Sequence, residues 1–400
     1  MIALMNQFPN QPEKQVTIEN WRNAPFNKWG FHHVREILPT SPIPNENQAS
    51  QQLEFNLVDL SSITVKTNHN EAVTYEDFLT KTHTDALVIL KDGKIIEERY
   101  NNGMNRKSPH ILMSVSKSIL GLLSGILIEE KVFEPETLVS KILPEIESTA
   151  YKGATVRHLL DMRAGISFDE DYLATSGLMI DYRKATNWNP LAADDVPSDL
   201  RSFYKCLKTK DREHGQQFHY VSPNTDLLGW IIERATNRRY SDLLSDLVWK
   251  PLGATEPSYI TLDRLGAPRA AGGLCTTAVD LALVGQLLLD FGFHGSRQIV
   301  PESWLFDIKN NGNRDAWIKG NFADYFPGMN MFYRSKWYVE KGESSEQSNL
   351  LFGVGVHGQN LFVDHEKKLV ISKFSSQPQP LDIDLIQLTS QWVRALKYFF

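Results

Sequence analysis

The sequence predicts an α/β fold in which segments near both ends of the chain build one sheet domain, with an all-helical domain inserted between them. Three observations carry this reading. β-rich hairpin signals sit at residues 85–100 and again at 351–374. The stretch from about 168 to 260 is helical and loop-rich, with little strand signal. The last twenty residues, "LDIDLIQLTSQWVRALKYFF", form an amphipathic helical pattern. The boundaries that follow are an N-terminal arm over 1–50, a sheet domain from 51–150 and 262–400, and a helical domain over 151–261.

Taken in order, the arm "NWRNAPFNKWGFHHVREILPTSPIPNENQ" mixes aromatics with Pro and Asn and sustains no periodicity. "DALVILKDGKIIEERY" holds two β-rich runs about Asp92-Gly93, a strong hairpin turn signal. The next run, "HILMSVSKSILGLLSGILIEE", is almost wholly apolar from Ile119 to Ile128 and predicts a helix buried on most faces. It is too short for a bilayer, which needs roughly 20 residues. Gly121, Ser124 and Gly125 leave room for neighbours to approach it. Residues 138–166 read as short helices with Gly165 as a stop. "YVSPNTDLLGWIIERATNRRY" is a loop feeding a helix, capped by Asn224 or Thr225 and stopped at Asn237. "LFGVGVHGQNLFVDHEKKLVISKF" is a second hairpin about His365-Glu366-Lys367.

Composition narrows the function classes. The 400 residues are 42% hydrophobic and 22% charged, ordinary for a globular protein, and the net charge of −6 comes with no basic stripe, which argues against nucleic acid as a partner. The start has no basic n-region, and Cys206 and Cys275 fit a reducing compartment, so the expected setting is cytoplasmic with no membrane attachment. No H-e-x-x-H, C-x-x-C, G-x-G-x-x-G, Walker loop or G-x-S-x-G occurs. The histidines, including the His32-His33 and His214/His219 pairs, read as surface or packing residues, and no metal or organic cofactor is implied.

The chemistry is concentrated at Ser114-Val115-Ser116-Lys117. A serine opening a buried helix has its backbone N–H among the unpaired donors at the positive end of the helix dipole, which suits an oxyanion hole. The residue three positions on shares its face, so Lys117 can reach the Ser114 hydroxyl. Burial shifts a lysine toward the neutral form that a base requires. A second S-x-x-K, Ser202 to Lys205, lies in a strongly charged segment where Lys205 can snorkel to water. Tyr220, on a loop before a helix, is a candidate to share protons with Lys117, although most buried tyrosines merely find a hydrogen-bond partner. "GVGVHGQ", Gly353 to Gln359, carries glycines that weaken a strand unless something must come close, so its edge is expected to face substrate.

S-x-x-K, then Y-x-S, then a Gly-containing terminal strand resembles the serine β-lactamase and penicillin-binding protein superfamily, nearest its class C branch and the family VIII carboxylesterases. "TVRHLLDMRAGISFDEDY", "YVSPNTDLLGW", "AAGGLCTTAVDLALVGQLLL", "VHGQNLFVD" and the arm resemble the 6-aminohexanoate-dimer hydrolase group. The resemblance implies a site between the sheet and helical domains, with Ser114 as nucleophile, Lys117 as its partner and Tyr220 as proton carrier. It further implies an oxyanion hole from the N–H groups of Ser114 and Val356. Substrate would meet Tyr172, Gly355 and His357. Two departures stand out: Ser222 takes the place of an asparagine, and no K-T-G or K-S-G exists. The expected function is a serine hydrolase forming an acyl-enzyme with a small amide or ester, with a homodimer allowed. The alternatives are a β-lactamase or D-alanyl-D-alanine peptidase, and a non-catalytic binding or assembly relative. With His357 as the sole ionisable side chain in "GVGVHGQ", a penicillin carboxylate is expected to lack a cation, making the protein a better esterase than β-lactamase.

Overall fold

The computed structural model describes residues 4–5, 10–46, 53–67, 69–342 and 349–400. Its main sheet has seven antiparallel strands drawn from two distant parts of the chain. After β1 (Thr40–Ile43) come β2 (Thr84–Lys91) and β3 (Lys94–Tyr100), joined through Asp92 and Gly93, both at positive φ (50° and 76°). That is the conformation a two-residue hairpin turn with Asp-Gly favours. The short β4 (His110–Ile111) leads into helix α1 (Val115–Glu129). Beyond the helical region follow β5 (Ser258–Thr261), β6 (Leu274–Thr276), β7 (Met331–Arg334), β8 (Trp337–Glu340), β9 (Leu350–Gly355), β10 (Gln359–Asp364) and β11 (Leu369–Ser375). The large sheet runs β7-β8-β9-β10-β11-β2-β3, and a small one runs β1-β5-β6-β4.

The expected terminal hairpin about 365–367 is present as β10 and β11. The stretch Val356-His357-Gly358, however, is a tight turn between β9 and β10 and not strand. His357 (φ 63°) and Gly358 (φ 90°) both take left-handed backbone there. The apolar character of "LFGVGVHGQNLFV" hid the turn, because a buried hairpin and one long strand read alike in hydropathy.

Alternation on the strands explains the layers. On β2, Ala86, Val88 and Leu90 enter a core shared with α1, whereas Leu87 and Ile89 face the opposite side with Trp392 and Leu396. Trp392 belongs to the C-terminal helix (Ile383–Phe399), where its ring stacks on Phe78 at 4.5 Å. α1 is buried along nearly its whole length, as its sequence requires. A Cβ at Gly121 would sit 2.2 Å from the Ser335 carbonyl, and one at Gly125 would sit 2.2 Å from the Trp304 ring. The small residues therefore admit two neighbours at contact distance.

In the helical region, α2 (Val156–Leu160) ends before Met162 (φ 54°), so Gly165 is not its stop. Gly165 instead lies where a Cβ would come within 2.0 Å of the Arg212 carbonyl. α3 (Leu178–Ala185), α4 (Leu200–Phe203) and α5 (Pro223–Thr236) follow. α5 begins two residues earlier than expected: Ser222 occupies the cap position and Pro223, whose missing N–H costs nothing in the first turn, the next. Asn237 ends it in left-handed backbone (φ 53°), as read from the sequence. The arm forms a third core with the small sheet through Trp21, Phe31 and Val34, and β1 pairs with β5.

Candidate active site

Leu112 and Met113 make the turn that delivers Ser114 to the head of α1. Met113 sits at φ 46°, a conformation few side-chain-bearing residues adopt, and the Ser116 N–H bonds back to its carbonyl at 3.0 Å. Strain of this kind directly before a candidate nucleophile positions its side chain, and nothing in the sequence signalled it. From Ser114, half-buried, one turn of helix brings Lys117 round to the same face. The Lys117 ammonium nitrogen lies 2.7 Å from Ser114 Oγ and 2.7 Å from the Ala271 carbonyl oxygen. Burial pushes the Lys117 pKa down to about 7, with Arg269 adding repulsion and Glu170 and Asp226 opposing it. A lysine poised there can hold or release a proton near neutrality.

Tyr220 closes the cluster from the helical region. Its hydroxyl is placed near those of Ser114 and Tyr338, which influence its titration, and its ring lies 4.9 Å from Lys117 Nζ. The Asn321 side chain accepts the Tyr220 N–H at 2.9 Å, and Phe322 stacks on the ring at 4.5 Å. Burial drives the Tyr220 pKa up, so the phenol stays protonated and can relay a proton without resting as phenolate.

A cavity of about 380 Å³ opens onto Ser114, lined also by Tyr172, Ala271, Gly272, Val356 and His357. Gly355 does not reach its wall. It is buried, and a Cβ there would meet the Leu112 carbonyl at 2.6 Å and Met113 Cβ at 3.0 Å. Its bareness lets β9 press against the Ser114 turn, which carries Val356 to the cavity. His357 contributes wall and little polarity: its Nδ1 donates to Gln377 O at 2.7 Å, its ring meets Phe31 edge-on at 5.1 Å, and burial lowers its pKa to about 4. The ring anchors the turn and stands in the cavity wall, where the sequence led substrate contact to be expected. The other S-x-x-K lies apart from the cavity. Asp199 caps α4, with the Ser202 hydroxyl accepting the Asp199 N–H in return at 3.0 Å, and Lys205 is exposed.

Several residues of the site escaped sequence reasoning. Glu170 accepts the Ser222 N–H at 2.8 Å, the Ser222 hydroxyl, and the Tyr172 hydroxyl at 3.1 Å. It thereby ties the candidate substrate tyrosine to the head of α5. Asp226 pairs with buried Arg269 and accepts the Ala271 N–H at 2.8 Å, which fixes the carbonyl that Lys117 meets. Arg22, from the arm, and Arg183, from α3, also line the cavity. The expectation that a substrate carboxylate would find no cation is therefore corrected. The spacing of Glu170 and Ser222, fifty-two residues apart, offered no local pattern. Past Tyr172, a neighbouring cavity of about 370 Å³ is lined by Asp169, Glu170 and Asp171.

The chain is similar to several known proteins. The Beta-lactamase family model matches residues 74–392. A 6-aminohexanoate-dimer hydrolase from Paenarthrobacter ureafaciens is 33% identical over 374 residues, 94% of this chain and 91% of its own. Among solved structures, a candidate 6-aminohexanoate-dimer hydrolase from Bacillus anthracis superposes with a TM-score of 0.86 at 26% identity, covering 96% of this chain and 97% of the other. A family VIII carboxylesterase shares the fold, with a TM-score of 0.55 at 15% identity over 78% of this chain and 92% of its own.

Proposed function

This chain belongs to the beta-lactamase family, and from that premise we propose that it is a serine hydrolase that cleaves a small amide or ester through an acyl-enzyme. The observation that carries the mechanism is the 2.7 Å contact between Ser114 Oγ and a buried Lys117 whose pKa falls to about 7. In the reading proposed, Ser114 Oγ bonds to the carbonyl carbon while its proton passes to Lys117, with the Tyr220 hydroxyl bridging. The carbonyl pair moves onto oxygen, where the N–H groups of Ser114 and Val356 receive it. Collapse of the tetrahedral species breaks the bond to the leaving amine or alkoxide, which takes the proton from the Lys117/Tyr220 pair. Water then attacks the acyl-enzyme by the same route in reverse.

The test is a chromophore burst from p-nitrophenyl butyrate. A burst stoichiometric with enzyme is expected in the wild type and in Ser202→Ala, and none in Ser114→Ala at an unchanged melting temperature. Equal behaviour of the two variants would overturn the assignment of Ser114. A binding-only protein would give no burst at all. Penicillin turnover is the second reading, favoured by the cations Arg22 and Arg183 at the cavity. Steady-state kcat/KM for nitrocefin against the ester decides between them.

A further inference from the structure

Arg22 and Arg183 are two guanidiniums on the wall of the Ser114 cavity that the reaction scheme does not use. Neither makes an ion pair among the described residues. Arg22 donates to the Asn189 side chain and lies over the rings of Trp21 and Trp188 at 5.6 and 5.8 Å. Arg183 donates to the carbonyls of Tyr172 (2.7 Å) and Ala174 (3.4 Å). The Nε–H of each is buried and without a partner. The other charges at the cavity are committed. Arg269 pairs with Asp226, and Glu170 is occupied by Ser222 and Tyr172. Asp169 and Asp171 line the neighbouring cavity beyond Tyr172.

The two cations repel each other, and although Glu170 and Asp171 attract Arg183, no anion among the described residues offsets Arg22. Arg22 shows the consequence: burial, together with Arg183 and Arg269, brings its pKa down to about 9. Guanidiniums suit planar, bidentate recognition of carboxylate, and a carboxylate between them would relieve the repulsion. We propose that Arg22 and Arg183 form a carboxylate-binding subsite, so that the substrate is a small amide or ester bearing a carboxylate. This rests on the serine hydrolase reading above and narrows its substrate.

The experiment compares the mono-p-nitrophenyl ester of adipic acid with p-nitrophenyl hexanoate, which have the same acyl length and differ in the terminal carboxylate. A parallel pair, 4-(hexanoyloxy)benzoate and 4-(hexanoyloxy)benzamide, places the charge on the leaving half. In the wild type at least one acid ester is expected to exceed its neutral counterpart in kcat/KM by about tenfold or more. That ratio should fall at least tenfold in Arg183→Gln and in Arg22→Gln, and Arg183→Lys should recover part of it. Because a ratio is read, a general loss of activity in a variant does not mimic the result. A wild-type ratio at or below one for both pairs, or a ratio indifferent to both arginines, overturns the proposal. Absence of Ser114-dependent turnover of every ester would instead count against the hydrolase reading. The subsite then still has its own readout, calorimetric binding of hexanoate against hexanamide to Ser114→Ala, with tighter hexanoate expected and equal binding overturning it.

Discussion

Lys117 shows how one residue trades stability for chemistry. A lysine that is charged in the unfolded chain near its usual pKa of 10.5, but has a folded value of about 7, is held against its solvation. The folded state binds fewer protons than the unfolded one between those two values, so this group's contribution to stability rises with pH across that window and its penalty is full below about 7. At pH 7 the penalty is on the order of 4 kcal/mol. Lys117→Met removes it, at a cost of roughly 1–3 kcal/mol for the Ala271 carbonyl left unbonded. The variant is therefore expected to melt higher than wild type, with a gain that shrinks as pH is raised toward 10. A lower melting temperature at pH 7 would count against the depressed pKa. Its kcat should drop 10²-fold or more. In the wild type, kcat/KM should lose about tenfold per pH unit below pH 7, as the amine needed to accept the Ser114 proton becomes charged. Tyr220→Phe should cost a similar factor, and the double variant less than the product of the two, since they serve one proton transfer. Full additivity would separate their roles. Ser114 and Lys117 were legible because their spacing and apolar setting are local; Glu170, Asp226 and Arg269 were not, since they act only through the folding of distant segments.

At the scale of elements, the site is where α1, the β9–β10 turn and the head of α5 converge, and glycines set the distances. The buried helix, the Asp-Gly hairpin and the closing amphipathic helix could be read from period and turn chemistry. The β9–β10 turn could not, because its flanking strands are apolar on both faces and give no break in pattern. Gly355 makes this element testable. A Cβ there would lie 2.6 Å from the backbone oxygen of Leu112, so Gly355→Ala must move either the strand or the Ser114 turn. Under the proposed mechanism, displacing Val356 would remove one oxyanion donor, a loss of roughly 10²-fold in kcat. Gly121→Ala makes the contrasting case, with a 2.2 Å approach to the Ser335 carbonyl on a part of α1 away from the cavity. Overpacking there costs stability, typically about 1–3 kcal/mol. With rates normalised to burst-titrated sites, Gly355→Ala should lose kcat while Gly121→Ala keeps it and melts lower. The same effect on kcat in both variants would show that general loosening, and not the oxyanion geometry, controls the rate.

The whole molecule is closed by its ends. The sequence portrayed residues 1–50 as an arm of unassigned purpose, since Pro, Asn and scattered aromatics give no period from which to predict a partner. In the structure the arm supplies Arg22 to the cavity wall beside Pro378, Gln379 and Pro380 from the opposite end of the chain. Buried Asn27 joins the two, its amide donating to the carbonyls of Ser376 (3.2 Å) and Gln377 (3.1 Å). Gln377 in turn accepts from His357, so one chain of contacts runs from the arm through the C-terminal loop to the β9–β10 turn. Asn27→Ala would leave the Ser376 carbonyl without that donor in a buried setting and the Gln377 carbonyl with His357, at a cost of roughly 1–3 kcal/mol. The loss should concentrate where the arm docks, because the seven-stranded sheet and its two cores do not depend on Asn27. We therefore expect faster proteolytic cleavage within residues 10–33 and a modestly lower melting temperature. Activity should also fall on neutral and acidic esters alike, since the wall that Arg22 and Ala24 provide would no longer be held in place. Limited proteolysis with mass mapping, run beside Ser202→Ala as a control remote from the arm, reads this directly. Cleavage confined to other loops, with the arm as resistant as in wild type, would show that Trp21 and Phe31 packing alone secures it.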